Sequence, residues 1–229
     1  MNADRRSRPR IWDTDWLVLR ELARLLAEQA ERHVPPGSRM VDLGCGAMPY
    51  RAMMDRLGIR YLGADLDGGD VPIGRDGRVA LQAGGCDAVL SVQVLEHVAD
   101  LDAYCAEIRR LLPDHGTLLL STHGAWLYHP HPEDHRRWTR TGLVADLAQR
   151  GIVVQDLHPV VGPLATTTLI RLTGFAFFLR KLPVAGRWLA GLLAVAMNLR
   201  AWLEEAVTPP SVRLDNACVY LVRARKAAA

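Results

Sequence analysis

The sequence predicts an α/β fold: a mostly parallel, seven-stranded sheet with helices on both faces and an apolar helical insertion before the last strand. First, short strand-like segments alternate with helix-like ones along most of the 229 residues. Second, a glycine-containing turn follows the first strand at residues 44–46. Third, residues 88–94 form a near-continuous apolar run, as expected of a strand that is covered on both faces.

The elements follow from hydrophobic spacing and from helix-ending residues. A first helix begins after Asp15 with apolar residues at helical spacing and ends before Pro35. A later helix is capped by Asp100 and stopped by Pro113. Further helices are predicted at residues 49–57 and 139–149. The predicted strands are 39–43, 60–64, 88–94, 117–121, 152–157 and 218–222, with one weak strand at most within 71–81.

Four regions are expected along the chain. Residues 1–12 are predicted to be a disordered basic tail, with contact to anionic lipid headgroups as an alternative. Residues 13–161 form the core domain, residues 162–207 an apolar helical insertion or lid, and residues 208–229 the final core strand and a C-terminal tail.

Composition excludes several classes of protein. The formal charge of +3 is small and much of it lies in the tail, so no basic face for nucleic acid is expected. The four cysteines form no CxxC pair, which argues against a disulfide framework or a zinc knuckle and favours a reducing, cytoplasmic setting.

The insertion is very apolar but is interrupted by five cations. Its longest uncharged run, residues 188–199, is well short of the roughly 20 residues that a membrane-spanning helix needs. Two amphipathic helices joined near Pro183 are therefore expected. They could form an extra core layer, a homodimer interface, a cover for a lipid-like acceptor, or a peripheral contact with the inner face of a membrane.

Three segments indicate a nucleoside-containing cofactor. Residues 41–46 (VDLGCG) place two glycines in the turn after the first strand, where the backbone can approach a ligand closely. Asp65 ends the next strand, where a carboxylate can accept both ribose hydroxyls. The third segment is CDAVLSVQVLEHV, residues 86–98.

In this order and spacing, the three segments resemble the class I methyltransferases that depend on S-adenosylmethionine (SAM), with a Rossmann-like fold and a methyltransferase type 11-like domain. The resemblance covers roughly residues 39–161 and the final strand. It implies a SAM site in which Asp42, Gly44, Cys45 and Gly46 line the methionine part, Asp65 holds the ribose, Leu66 and Asp76 approach the adenine, and Gln93 and Val94 flank the cofactor. Met48 replaces the third glycine of many such turns, which counts against a dinucleotide-dependent oxidoreductase.

A histidine-rich loop, residues 121–143, is expected to lie beside the active site, beyond the carboxyl ends of the strands. It is similar to the HP...D.WRWT signature of a methyltransferase subgroup. Three interpretations remain open: an acceptor loop with a general base, a structural lid, or a metal site. The best base candidates are His123 and His131, ahead of His129. A metal is the least favoured, although His129, His131 and His135 resemble ligand spacing, because transfer from a sulfonium needs no Lewis acid.

The resemblance implies in-line methyl transfer to an oxygen of a glycan, a lipid-linked intermediate or a secondary metabolite. A catalytically silent SAM-fold protein that acts as a binding or scaffold subunit is the alternative.

Overall fold

The fold is described from a computed structural model, which covers residues 3–130 and 133–228. These residues form a seven-stranded sheet. In chain order the strands are β1 (Arg39–Leu43), β2 (Arg60–Asp65), β3 (Val71–Pro72), β4 (Ala88–Val92), β5 (Thr117–His123), β6 (Ile152–Val160) and β7 (Val219–Lys226). Across the sheet their order is β3-β2-β1-β4-β5-β7-β6. Only β7 runs antiparallel to its neighbours within the described sheet, which confirms the mostly parallel prediction.

Helices cover both faces of the sheet, as predicted. They are α1 (Ala3–Ser7), α2 (Trp16–His33), α3 (Arg51–Arg56), α4 (Leu101–Leu111), α5 (Arg140–Gln149), α6 (Pro163–Leu179), α7 (Gly186–Val207) and α8 (Pro210–Asp215), with a short 3-10 turn at Leu95–His97. Successive strand residues point to opposite faces. One hydrophobic cluster accordingly joins Met40 and Leu90 to α2, α6 and α7, and the other joins Val41 and Val89 to α4 and α5.

The N-terminal segment differs from the predicted disordered tail. From residue 3 it forms helix α1, and Arg5 makes ion pairs with Asp13 and Asp15. The buried amide of Asn198 on α7 donates hydrogen bonds to the carbonyls of Ile11 (2.7 Å) and Asp13 (2.8 Å). These tertiary contacts order a segment whose own sequence carries no core-forming pattern.

Helices α6 and α7 form a hairpin between β6 and β7. The residues of α7 that pack inward are small and recur every three or four positions, namely Gly186, Ala190, Ala194, Asn198 and Ala201. Small side chains let the two helices approach closely along their length. Of the helices that the structure describes, none combines the length and the apolar character needed to cross a bilayer.

The hairpin leaves the sheet at its ligand-binding edge. Strand β7 is antiparallel to both β5 and β6, so β6 has the direction of the central strands. Its last residue, Val160, therefore lies at the carboxyl edge, and α6 begins three residues later at Pro163. In open α/β sheets, ligands bind beyond this edge.

Candidate active site

The turn after β1 and the end of β2 are joined by several hydrogen bonds, since the backbone N–H groups of Gly44 and Cys45 also donate to the carbonyl of Ala64. Asp65 Oδ2 accepts from the backbone N–H of Gly46 at 2.7 Å, and Asp65 Oδ1 accepts from the N–H of Leu66 at 2.8 Å. A carboxylate has about four lone-pair positions, so both contacts leave acceptor capacity for ribose hydroxyls. The predicted pairing of these two elements is thus present in the fold.

Glycine is required at two positions of this turn. Gly44 and Gly46 both have positive φ (73° and 51°). A Cβ on Gly44 would lie 2.7 Å from Cγ2 of Val94, so Val94 packs directly on the turn. A Cβ on Gly46 would meet nothing within 4 Å. The backbone of Gly46, next to the Asp65 carboxylate, is therefore open to close approach by a ligand.

Two predicted cofactor residues lie behind the turn rather than in the open space. Asp42 is 2% exposed and accepts a hydrogen bond from the Tyr61 hydroxyl, and burial raises the pKa of Asp42 to about 7. Cys45 is buried with its thiol against Gly63. Both residues therefore support the turn from below.

The predicted adenine contacts are exposed. Leu66 projects into solvent beside Asp65, where an adenine ring could pack on it. Asp76 lies in an exposed loop closed by the bridge between Ile73 and Val79, and its carboxylate accepts from the N–H of Arg78 at 3.1 Å. Among the described residues, no hydrogen bond links Asp76 to the glycine turn. The structure brings together the other cofactor candidates but not Asp76.

Gln93 has a strained backbone at the end of β4. Its φ is +54°, which is uncommon for a residue other than glycine. Its N–H donates to the carbonyl of Ser121 (2.9 Å), and its side-chain nitrogen lies 3.3 Å from His123 Nε2. Neighbouring strand ends thus hold Gln93 between the cofactor turn and the histidine loop. Strain of this kind tends to occur at functional sites.

A buried acid and two histidines form a line at the end of β5. Glu96 is fully buried, its Oε2 accepts from the Thr122 hydroxyl at 2.9 Å, and its Oε1 lies 3.3 Å from His123 Nε2. The His123 and His129 rings meet edge to face with centroids 4.8 Å apart. Burial raises the pKa of Glu96, lowers that of His129, and holds that of His123 well below its usual range. Both imidazoles are therefore neutral at pH 7 and can accept protons.

Polar contacts of Arg137, Asp134 and His97 hold the described part of the histidine loop. Arg137 forms a two-pronged pair with Asp134 (2.5 and 2.6 Å), and Asp134 also accepts from the N–H of His129 at 2.8 Å. Arg137 holds the pKa of Asp134 well below its usual range. His97 Nδ1 lies 2.6 Å from the carbonyl oxygen of Glu133. The predicted base His131 lies outside the described residues.

A small cavity of about 110 Å³ opens beside these groups. Its wall includes Gln93, His123, Trp126 and His129 together with residues of α2 and the two α1 arginines, Arg5 and Arg6. Sequence reasoning identified the histidines but missed both arginines and Glu96. The arginines stand in the stretch that the sequence predicts to be disordered, and only tertiary contacts bring them to the cleft.

The same cluster offers metal-ligating atoms. Ligand atoms of Glu96, His123 and His129 lie within 4.8 Å of one another. This set shares only His129 with the spacing of His129, His131 and His135, which the sequence made the least favoured interpretation; the Nε2 of His135 is paired with Glu133 at 3.0 Å.

Comparison with known proteins identifies the same fold and chemistry. A family model described as a methyltransferase domain matches residues 15–157. The ubiquinone biosynthesis O-methyltransferase of Dinoroseobacter shibae is 38% identical over 102 residues, which cover 38% of this chain. That match spans 41% of the relative, so the chain matches less than half of the relative's length.

Solved structures agree in fold. The crystal structure of the cyclase SpnF has a TM-score of 0.58 at 18% identity and covers 90% of this chain and 82% of that one. The 1,6-didemethyltoxoflavin-N1-methyltransferase of Burkholderia thailandensis, solved with S-adenosylhomocysteine, has a TM-score of 0.57 at 15% identity. That similarity covers 91% of this chain and 79% of the neighbour.

Proposed function

This chain belongs to the methyltransferase-domain family, within the SAM-dependent methyltransferases, and we propose that it transfers the methyl group of SAM to a hydroxyl oxygen of a small acceptor. The observation that carries the proposal is the cavity whose wall combines Gln93, beside the cofactor turn, with neutral His123 and His129. The O-methyltransferase name of the Dinoroseobacter relative supports oxygen as the methylated atom.

The cofactor is held by the residues around the glycine turn. Asp65 accepts the ribose hydroxyls, the turn backbone at Gly44 and Gly46 approaches the methionine part, and Leu66 packs on the adenine. Asp42 and Cys45 fix the turn from behind. When bound, SAM supplies an electrophilic methyl group whose bonding electrons leave with sulfur as the new carbon–oxygen bond forms. Holding the reacting groups in line contributes several kcal/mol without a covalent intermediate.

We propose that His129 is the general base that removes the proton from the acceptor hydroxyl. A hydroxyl is a weak nucleophile until its proton is removed, so a neutral imidazole within reach adds rate. The His129 side chain is 31% exposed, whereas that of His123 is 3% exposed and faces Glu96 and Gln93. Burial therefore favours His129 as the group that meets the acceptor, with His123 and Glu96 positioning it from behind. This reverses the order expected from the sequence.

The cavity wall also favours an acceptor whose oxygen becomes negatively charged as its proton is removed. Arg5, Arg6 and Asp15 all line the cavity, and Arg5 is paired with Asp13 and Asp15, so we assign the stabilisation of a developing oxyanion to Arg6. Phenols and other acidic hydroxyls, including those of lipid-linked intermediates, glycans and secondary metabolites, fit this environment. The acceptor is thus expected to be an acidic or readily polarised hydroxyl compound.

The direct test is to incubate the protein with methyl-labelled SAM and a host extract, then to treat the labelled product with mild base. A methyl ester loses its label in mild base, whereas a methyl ether retains it in base and releases it to boron tribromide, which leaves methyl groups on nitrogen and carbon in place. Retained label that disappears in a His129→Gln variant supports the proposal. Base-labile label would show a carboxylate acceptor, which needs no general base, and would overturn the assignment of His129.

The rival function is a silent SAM-fold subunit. The fold alone does not establish methyl transfer, since a solved neighbour with this fold is named a cyclase. Calorimetry distinguishes the two: a protein that does not bind SAM cannot transfer its methyl group.

A further inference from the structure

The end of the α6–α7 hairpin, residues 175–192, exposes many large apolar side chains; we call this segment the hairpin tip. Trp188 is 80% exposed, Phe178 68% and Val184 99%. The other exposed apolar residues of the tip are Phe175, Phe177, Leu182, Leu189 and Leu192. Isolated apolar side chains on a surface are ordinary, but a contiguous group marks an interaction site.

The hairpin tip is also positively charged and contains no acid. Arg180, Lys181 and Arg187 are exposed there, and no salt bridge joins them to any described carboxylate. From residue 157 to residue 203 the sequence has no Asp or Glu. The Lys181 ammonium lies 4.4 Å from the centre of the Phe177 ring, so cations and aromatic rings are interleaved. This combination complements a surface that is anionic outside and apolar beneath.

The apolar side chains of the tip are not needed by the protein core. The inward stripe of α7, Ala190 and Ala194, already packs within the core cluster that includes Leu172 and Ala176 of α6. The exposed rings therefore lie on the opposite side of a completed helix pair. Covering them requires something outside the chain.

A second copy of the chain is a poor occupant. In a twofold interface the same patch meets itself, so the three cations of each copy would be gathered in one interface to which the tip contributes no acid. Such a contact would bring like charges together while their water is removed. A bilayer surface instead offers phosphate groups for the cations and acyl chains for the rings.

We propose that the hairpin tip docks the protein on the surface of a bilayer that contains anionic phospholipids. Trp188, Phe177 and Phe178 enter the boundary between headgroups and acyl chains, and the three cations bind lipid phosphates. The contact is peripheral, in keeping with helices too short or too polar to span.

The hairpin that carries the tip also contacts the segment between α1 and α2. Asn198 of α7 donates hydrogen bonds to the carbonyls of Ile11 and Asp13 in that segment. Helices α1 and α2 on either side of it contribute residues to the acceptor cavity. The hairpin is thus connected to the cavity wall through the N-terminal segment.

The test is co-sedimentation of the full chain with phosphatidylcholine vesicles, with and without one quarter phosphatidylglycerol, in the absence of SAM. Binding is expected to be at least tenfold tighter to the anionic vesicles and to weaken in 1 M salt. The variant R180Q/K181Q/R187Q should lose on the order of 100-fold in affinity. Trp188→Ser should lose roughly tenfold, because one large apolar side chain no longer enters the lipid.

Matched controls are available elsewhere on the surface. The variant R56Q/R75Q/R78Q removes three exposed cations outside the tip, and Trp12→Ser removes another exposed indole. Both should bind like the wild type. All variants change solvent-exposed residues, so their unfolding temperatures should match.

Three outcomes would overturn the proposal: no binding to anionic vesicles, equal loss in tip and control variants, or a dimer in solution that tip substitutions dissociate while vesicle binding is absent. Because the assay contains no SAM and no acceptor, its failure is distinguishable from failure of the methyl-transfer proposal.

Discussion

The Asp65 carboxylate carries two tasks at once, since it ties down Gly46 and is expected to accept the ribose hydroxyls of SAM. Replacing it by alanine should weaken SAM binding by about 1–3 kcal/mol, the usual loss for hydrogen bonds to a charged group. Isothermal calorimetry measures this directly. Asp67→Ala, two residues away on the exposed loop, is the control and should bind normally. Equal affinities for both variants and the wild type would place the cofactor elsewhere.

His129 should impose a pH limit on the reaction. Burial lowers its pKa, so it is neutral at pH 7 and gains a proton only below its ordinary range near 6.5. A protonated imidazole cannot accept the acceptor's proton, so kcat should fall on the acid side with a midpoint below about 6.5.

His129→Gln should reduce kcat by about 10²–10⁴-fold and remove that acid limb. His115→Gln changes an exposed histidine at the opposite end of β5 and should leave the profile intact. An unchanged acid limb in His129→Gln would mean that another group takes the proton.

At the scale of single elements, helix α1 is expected to act as part of the active site. Arg6 lines the cavity and lies close enough to Asp42 to lower its pKa, although burial still raises that pKa overall. Arg6→Ala should lower kcat/KM by roughly tenfold to a hundredfold, as for the loss of a charged hydrogen-bonding group. Arg8→Ala, just beyond the helix and exposed, is the matched control. If both variants retain full kcat/KM in steady-state assays, α1 plays no part in catalysis.

The sequence predicted the two helices of the hairpin but not which of their residues pack inward. Cations interrupting an apolar stretch predict two amphipathic helices joined near Pro183; the structure has a helix on either side of that proline, but neither is clearly amphipathic. Which residues pack inward could not be read from periodicity, because the apolar residues surround both helices. The small-residue stripe of α7 decides it, since only small side chains fit between the helices and the large ones are left outside.

Across the whole molecule, the sequence predicted the features that depend on residues close together in the chain. The apolar strand at residues 88–92, the Asp100 cap and the glycine turn all follow from neighbouring residues. Helix α1 could not be predicted, because it packs beside a segment that Asn198 holds from more than 180 residues away. The cluster of Glu96 with His123 was hidden for the same reason, since β4 and β5 bring its members together.

Because the chain belongs to a family of SAM-dependent enzymes, SAM is expected to stabilise its folded state. A ligand that binds only the folded state stabilises it by RT ln(1 + [L]/Kd), which is about 2.7 kcal/mol at 100 times Kd. For a chain of this size, that raises the unfolding temperature by roughly 5–10 °C. SAM and S-adenosylhomocysteine should each produce such a shift in a thermal melt.

NADH should produce none, because Pro49 stands where a dinucleotide turn needs its third glycine for close packing beside a pyrophosphate. Asp65→Ala should reduce the shift with SAM, measured from that variant's own melting temperature, which the loss of the hydrogen bond to Gly46 is expected to lower. A shift with NADH but not with SAM would favour an oxidoreductase. If neither ligand raises the melting temperature, the glycine turn has only a structural role and the silent-subunit alternative is favoured.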